Sequence, residues 1–113
     1  MNRKPFIEWS DFEKLDIRAG TVIDAQIFEK ARNPAYKLFI DFGELGQLKT
    51  SAQITELYDL ASLKGKQVLA IVNFRPKQIA DFMSECLVLG VYTQDGVVLL
   101  ETERNTNNGL PVG

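Results

Sequence analysis

The sequence predicts an all-β domain in which five strands close into a small Greek-key barrel, with short flanking helices and an extra C-terminal strand. Apolar and polar residues alternate with a period of two along several segments, and turn signals separate these segments. One apolar stretch of helical spacing lies among them. The 113 residues are 45% hydrophobic and 25% charged, which suits a single domain over 1–113 with an ordinary core.

A short helix and a long strand are expected first. Ser10 and Glu13 have the spacing of a capping box, so a helix should begin at Asp11. Over 17–28 the odd positions are apolar or small and several even positions are charged or polar, which predicts a strand with one buried face. Gly20 in this strand suggests a bulge or a sharp bend.

Two more strands complete a meander. The stretch "YKLFIDFG" at 36–43 alternates after a turn signal at 33–34, and a glycine-bounded turn leads into "QLKTSA" at 47–52. The following "ITELYDLASL", at 54–63, has apolar residues at helical spacing and ends shortly before a glycine. We therefore expect a helix there.

The last strands are expected at 66–73 and 86–92, and Asp95-Gly96 predicts a hairpin that adds a strand near 97–101. Three meandering strands, a helix and two strands are the element order of the OB-fold, a partly open five-stranded barrel. A split sandwich with the same order is the main alternative. An OB-fold binds ligands on the face of strands 2 and 3, between two loops that correspond here to 29–35 and 74–85.

The residue types present argue against catalysis. The chain has no histidine and one cysteine, so it lacks a Ser-His-Asp or Cys-His pair, an intrachain disulfide and a cysteine zinc cluster. Cys86 lies in an apolar run and is expected to be a small buried residue. We therefore expect no enzyme activity, no metal and no cofactor.

Hydropathy argues against membrane insertion. The N-terminal residues contain no apolar signal-peptide core, and the longest apolar runs, "LAIV" and "VVLL", are too short to cross a bilayer. A single cysteine agrees with a reducing compartment. A cytoplasmic location is expected.

The charge distribution predicts a local basic surface on a molecule whose formal net charge is -2. Between Asp59 and Asp81 every charged residue is a cation, and the same holds between Glu29 and Asp41. Both stretches include a loop that flanks the expected groove. Cations of this kind bind RNA phosphates, and short polar side chains reach sugars and bases. The candidate RNA-binding residues are Lys30, Arg32, Lys49, Ser51, Asn73, Arg75, Lys77 and Ser84.

Some of these residues have other interpretations. Asn73 could cap a turn, and the hydroxyl of Ser84 could bond to the local backbone. An exposed apolar cluster would favour a different function, the binding of apolar peptide segments. Its members would be Phe74, Ile79, Phe82 and Met83. Phe82 could instead pin its loop to the barrel.

Four stretches that cover most of 12–90 resemble a known family: "FEKLDIRAGTVIDAQ", "EKARNPAYKLFIDFGELG", "KTSAQITELY" and "NFRPKQIADFMSECLVLG". They are similar to the tRNA-binding OB domain that is appended to methionyl- and phenylalanyl-tRNA synthetases and also occurs as stand-alone proteins, among them an export-related chaperone. The resemblance implies a homodimer with a tRNA-binding groove. Positions corresponding to the family's motifs are Asn73, Arg75, Lys77 and Ser84, together with Lys49 and Ser51 on the third strand.

Residues 1–15 and 93–113 exceed what the barrel needs and carry apolar side chains, so they are expected to form dimer contacts. The leading hypothesis is a non-catalytic homodimer that binds folded tRNA through its shape and backbone charge. The alternative, which the resemblance also implies, is a chaperone that binds apolar segments of unfolded, export-bound polypeptides and contacts the export machinery.

Overall fold

The computed structural model describes residues 2–113, which form a nearly closed antiparallel barrel with additional hairpins. The elements, in chain order, are α1 (Trp9–Glu13), β1 (Ile17–Ile27), β2 (Tyr36–Asp41), β3 (Gln47–Ala52), α2 (Leu60–Leu63), β4 (Gln67–Ile71), β5 (Lys77–Ile79), β6 (Phe82–Ser84), β7 (Leu87–Val88), β8 (Gly90–Thr93) and β9 (Gly96–Leu99). A 3₁₀ turn at Gly43–Leu45 joins β2 to β3. Within 2–113, neither helix has the length and apolar character needed to span a membrane.

Five strands make the barrel sheet in the order β3-β2-β1-β4-β7, and every neighbouring pair is antiparallel. The open side between β7 and β3 is closed by the residue that follows β6. Glu85 donates its backbone N–H to the carbonyl of Lys49 (2.8 Å), and its carboxylate accepts the N–H of Lys49 (3.0 Å). The predicted five-stranded OB-type barrel is confirmed.

Strand β2 supplies the centre of the core. Leu38, Ile40 and the following Phe42 are fully buried, and Val22 of β1 and Val68 of β4 pack into the same cluster. The alternation predicted for this strand is therefore correct, because its even positions face the barrel interior.

Strand β1 departs from the predicted pattern in its second half. Val22 and Ala25 are buried, whereas Ile23 and Ile27 are largely exposed. The pairing of β1 with β2 shifts register between Val22 and Asp24, and this bulge changes which positions face the core. Burial of every odd position was therefore the wrong expectation for this strand.

Gly20 lies in a regular part of β1, so the bulge expected there is found further along the strand. A Cβ atom built on this residue would lie 2.7 Å from Ile40 Cγ2 and 2.7 Å from the ring of Phe42. Glycine is therefore required because the β2 side chains pack directly against the β1 backbone.

The first helix begins near the predicted place but with a different cap. Helix α1 starts at Trp9, and the carboxylate of Asp11 accepts the backbone N–H of Glu8 at 2.9 Å. The predicted capping pair, Ser10 with Glu13, lies inside the helix instead. The capping box is formed by Glu8 and Asp11, two residues earlier than the pair that the sequence pattern suggested.

The helix expected at 54–63 is reduced to α2. Asp59 accepts the backbone N–H of Ser62 at 2.7 Å, which starts the helix at that point. Upstream, the carbonyl of Tyr58 accepts the hydroxyl of Tyr36 (2.8 Å), and the hydroxyl of Tyr58 accepts the N–H of Leu99 (3.0 Å). These bonds hold an irregular segment against the barrel, so its apolar spacing reflects core contacts rather than a helical face.

The C-terminal region forms the β8–β9 hairpin and then a segment that hydrogen-bonds to β1. The single strand expected at 86–92 is split into β7 and β8, and β8 pairs with β9 as the hairpin prediction required. The N–H of Gly109 then donates to the carbonyl of Ala19 (2.7 Å), and that of Val112 to the carbonyl of Ile17 (2.8 Å). This part of the 93–113 extension is therefore used inside the subunit.

Replacing Gly20 with alanine should destabilise the protein by about 1–3 kcal/mol, because the added methyl group must displace two packed side chains. Urea unfolding followed by circular dichroism measures the change. Gly113→Ala is the matched control, since no atom lies within 4 Å of its added Cβ. Equal stability of the Gly20→Ala variant and the unaltered protein would contradict the packing described here.

Candidate nucleic-acid interface

A groove of about 860 Å³ lies between the end of β3, the segment after β4 and the C-terminal hairpin. Its apolar lining includes Ile54, Phe74, Ile79, Val88, Tyr92 and Val97, and its polar lining includes Ser51, Arg75, Lys77 and Ser84. The groove thus brings together half of the residues expected to bind RNA and two of those expected to bind peptides.

Arg75 and Lys77 form the cationic rim of this groove. Both side chains belong to exposed residues, and within 2–113 neither has a carboxylate oxygen within 4 Å. Pro76 between them restricts the backbone, and Lys77 opens β5 opposite Ser84 of β6. The segment 74–85 was expected to be a loop, but part of it forms the short hairpin β5–β6. The pairing of Lys77 with Ser84 in this hairpin holds Lys77 at the edge of the groove.

The two predicted basic loops meet, but their contact neutralises one of the predicted cations. Lys30 Nζ lies 2.9 Å from Asp81 Oδ2, which sits at the tip of the β5–β6 hairpin. The hydrogen bond raises the pKa of Lys30 and lowers the pKa of Asp81, so the pair is ionised at neutral pH. Arg32 lies with Lys30 in the first loop, residues 29–35. It is exposed and has no carboxylate within 4 Å among residues 2–113.

The hydroxyl of Ser84 is part of the seam that closes the barrel. It accepts the backbone N–H of Ser51 (3.1 Å) and lies 2.9 Å from Thr50 Oγ1, which donates its own proton to the carbonyl of Cys86 (2.6 Å). Because that proton is already used, Ser84 must donate to Thr50. Ser84 therefore offers a ligand only a remaining lone pair, and its partner is the β3 backbone rather than a local turn.

Asn73 is placed away from the groove lining. Its side-chain carbonyl accepts the N–H of Asp16 (3.0 Å), and its side-chain amide donates to the carbonyl of Lys14 (2.7 Å). The side chain therefore joins the end of β4 to the segment before β1. The sequence suggested a local turn cap, whereas the bonded partners are nearly sixty residues away.

Lys49 lies on the outer face of β3, beside a cation that the sequence prediction left out of the site. Lys37 of β2 projects from the same face, because Lys37 pairs with Ser51 and Phe39 pairs with Lys49 in the β2–β3 ladder. The ammonium groups of both lysines lie over the ring of Phe82, at 5.1 and 5.2 Å from its centroid. The signal for Lys37 was its place in the acid-free stretch on the expected binding face.

Phe82 does not belong to an exposed cluster. It is 6% exposed and packs with Phe28 and Ala35, so it pins the β5–β6 hairpin to the first loop. Ile79 is half-buried against the same cluster, whereas Phe74 and Met83 are largely exposed. The expected apolar surface is therefore reduced, at its hairpin end, to Phe74, Met83 and part of Ile79.

Cys86 is buried, as expected, and it lies at the floor of the groove. Burial raises the pKa of its thiol to about 12. The thiol is therefore protonated near neutral pH and is a poor nucleophile.

The chain is similar to known proteins over nearly its whole length. A family model described as "Putative tRNA binding domain" matches residues 17–111. The methionine–tRNA ligase of Methanococcoides burtonii is 36% identical over 107 residues, which are 94% of this chain but 16% of that enzyme. The chain therefore spans about a sixth of the length of this curated relative.

Two solved structures share both sequence and fold with the chain. The chaperone CsaA of Bacillus anthracis is 47% identical with a TM-score of 0.91, and the match covers 96% of this chain and 100% of that one. The CsaA chaperone protein of Picrophilus torridus is 46% identical with a TM-score of 0.92 and the same coverage. On the family match and these identities, the chain belongs to the tRNA-binding domain family.

Proposed function

We propose that this protein binds tRNA in the cytoplasm and catalyses no reaction on it. The observation that carries the proposal is a pair of cations on the rim of an apolar-lined groove, Arg75 and Lys77, which have no carboxylate oxygen within 4 Å in the part of the chain that the structure describes. Family membership supports it, because the matching domain model is described by tRNA binding. A molecule with a formal charge of -2 needs such a local concentration of cations to attract a polyanion.

The groove combines the two chemistries that RNA recognition uses. Arg75 can bind phosphate oxygens through a planar fork of N–H donors, and Lys77 adds a point charge nearby. Phe74 and Tyr92 offer exposed aromatic surfaces on which unpaired bases can stack. Few of these contacts would distinguish one base from another, so recognition would depend on RNA shape and backbone charge.

A non-catalytic role fits the groups that line the groove. The buried Cys86 thiol has a pKa of about 12, and the hydroxyl of Ser84 already donates to Thr50. The chain contains no histidine that could act as a base toward either group.

A second candidate function is the binding of apolar segments of export-bound polypeptides. The apolar groove lining favours it, with Phe74 and Tyr92 exposed at its edge. The two similar chaperone structures add support. Binding of this kind would depend on buried apolar area and would change little with salt.

We also propose that the protein is a homodimer. Phe6, Ile7 and Trp9 in the N-terminal segment are 87%, 71% and 83% exposed. These three side chains are close together in the chain, and clustered exposed apolar side chains mark an interaction surface. A two-fold dimer would bury the same segment on both subunits and present two basic grooves.

Changing Arg75 and Lys77 together to glutamine should weaken tRNA binding and its salt dependence. About five phosphate contacts give a slope of about -4 for the logarithm of the binding constant against that of the salt concentration, and two lost contacts should reduce its magnitude by about 1.5. Filter binding of total tRNA between low and moderate salt measures both quantities. Lys64→Gln with Arg104→Gln is a control with the same charge change, since these cations pair with acids elsewhere.

Unchanged tRNA affinity in the Arg75/Lys77 variant would contradict the proposed function. If an unfolded peptide bound instead, with little dependence on salt and with loss of affinity in Phe74→Ala, the second function would be the better account. The two outcomes differ in salt dependence as well as in the residue that matters.

Changing Asp81 to asparagine should strengthen tRNA binding, because it removes an acid and releases Lys30 from its ion pair. The salt slope should become steeper by about one contact, that is by roughly 0.7 to 0.9. The same filter-binding titration measures the change. Glu103→Gln, which releases Arg104 in the C-terminal segment, is the matched control. Weaker binding by Asp81→Asn than by the control would show that Lys30 does not face the RNA.

Changing both Phe6 and Trp9 to serine should convert the dimer to a monomer. Light scattering should report about twice the 12.7 kDa chain mass for the unaltered protein and a single chain mass for the variant. Ile27→Ser, at an exposed apolar residue of β1, is the control and should remain dimeric. A single chain mass for the unaltered protein at micromolar concentration would exclude the proposed dimer.

A further inference from the structure

The terminal segment, residues 106–112, lies along the edge of β1 that β2 leaves free. The ladder between β1 and β2 begins at Thr21. Before that point, the N–H of Ala19 donates to the carbonyl of Leu110 (3.1 Å), and the carbonyl of Ala19 accepts the N–H of Gly109 (2.7 Å). The terminal segment therefore covers this part of the strand edge, and it does so only while it is docked on β1.

An asparagine–glycine pair, Asn108 and Gly109, holds the terminal segment in place. The side-chain carbonyl of Asn108 accepts the hydroxyl of Thr21 (2.8 Å) and the side-chain amide of Gln67 (3.3 Å). Its own side-chain amide donates to the carboxylate of Asp41 (3.5 Å). These three partners belong to β1, β4 and β2, so one side chain joins the terminal segment to three strands of the barrel.

The main chain of this pair is packed tightly against the turn that follows β2. A Cβ atom on Gly109 would collide with the carbonyl oxygen of Phe42, and a Cβ atom on Gly43 would collide with the carbonyl oxygen of Asn108. Gly109 also has a φ of +89°, which favours glycine. The two backbones therefore leave no space for an additional atom between them.

The same pair is chemically reactive. Asparagine followed by glycine loses its side-chain amide readily, because glycine has no side chain to hinder ring closure. The glycine backbone nitrogen bonds to Cγ of the asparagine, the Cγ–Nδ2 bond breaks, and ammonia leaves with the proton of that nitrogen. Water then opens the cyclic imide at either of its carbonyl carbons, which gives aspartate or isoaspartate.

The docked terminal segment opposes this reaction. The nitrogen that must attack, that of Gly109, is engaged as a hydrogen-bond donor to the carbonyl of Ala19. The side chain of Asn108 is held by its three partners and cannot turn freely toward that nitrogen. Ring closure therefore requires the terminal segment to leave β1 first.

We propose that Asn108 is a modification site, where spontaneous deamidation occurs when the terminal segment detaches and then prevents it from docking again. Aspartate would place a carboxylate oxygen where the amide faces Asp41, so repulsion between two anions would replace a hydrogen bond. Isoaspartate would add a methylene group to the main chain, which the packing at Phe42 and Gly43 cannot accommodate. The modified chain would keep the Ala19 edge of β1 unpaired.

The first experiment compares deamidation of the folded chain with that of the chain unfolded in guanidinium chloride, at one pH and temperature. Mass spectrometry of the peptide that contains Asn108 measures the reaction, which should be at least about tenfold slower in the folded chain because it waits for local opening. Thr21→Val should speed the folded-state reaction about fivefold, the effect of one lost hydrogen bond on opening. Thr106→Val is the control, since its hydroxyl bonds to the carbonyl of Asn107 rather than to Asn108.

The second experiment tests whether the product keeps the terminal segment away from β1. The amide of Val112, which donates to the carbonyl of Ile17 (2.8 Å), reports docking through its hydrogen exchange rate in nuclear magnetic resonance spectra. Asn108→Asp should increase this rate by more than about fivefold, since a hydrogen bond is lost and a repulsion is added. Adding Asp41→Asn should restore protection, because it reverses donor and acceptor in the same contact. Asn105→Asp adds the same charge at an exposed residue and should have no effect.

The outcomes decide both parts of the proposal. Equal deamidation rates in the folded and unfolded chains would show that docking does not protect Asn108. The deamidated chain, returned to native conditions, should exchange the Val112 amide as fast as Asn108→Asp does. If it exchanges as slowly as the unaltered protein, the modified segment docks again and the proposal is wrong. Neither experiment involves RNA, so the proposed tRNA binding is tested separately.

Discussion

The seam between β3 and the residues that follow β6 is the constraint on which the rest of the molecule depends. Strand β7 has two residues and, among residues 2–113, forms a ladder with β4 alone, so it cannot close the barrel by itself. Closure instead uses the hydrogen bonds between Glu85 and the backbone of Lys49 and the buried hydroxyl of Thr50, which joins Ser84 to the carbonyl of Cys86. A hydrogen bond of this kind stabilises the fold by about 1 kcal/mol, whereas leaving a buried partner unpaired costs about 1–3 kcal/mol.

The same seam positions the two walls of the groove. Lys49 and Ser51 lie on its β3 side, and Ser84 ends the β5–β6 hairpin on its other side. The groove opens directly above it, so its two walls cannot separate without loss of the Thr50 hydrogen bonds. Phe82 adds a second anchor for the hairpin through Phe28. The cations are thus held by a rigid scaffold, which lowers the entropy lost on binding.

Parts of this arrangement can be read from the sequence because they are local. Alternation in 36–43 and the hairpin signal at Asp95-Gly96 each concern residues close together in the chain, and both are found as expected. The bulge after Val22 could not be read, since the apolar residues at 23 and 27 preserve the alternation of an unbroken strand. What decides it is the register against β2, which no pattern within β1 contains.

The candidate site divides in the same way. Arg75 and Lys77 were identified because every charged residue between Asp59 and Asp81 is a cation, but that reasoning cannot detect an acid brought in by folding. Lys30 meets Asp81 across 51 residues of sequence, and Lys37 meets Phe82 across a comparable separation. The contact with Asp81 neutralises Lys30, which the sequence placed in the site. The contact with Phe82 orients Lys37, which the sequence prediction left out of the site.

The distribution of ion pairs shows why an acidic protein can still attract an anion. Within 4 Å of a carboxylate lie Lys14, Arg18, Lys30, Lys64, Lys66 and Arg104. The cations without such a partner among residues 2–113 are Arg3 and Lys4 near the N-terminus, and Arg32, Lys37, Lys49, Arg75 and Lys77. The last five belong to the first loop, the outer face of β2 and β3, and the groove rim. Since exposed charges are screened within about 8–10 Å at physiological salt, a bound polyanion would respond to this local set rather than to the net charge.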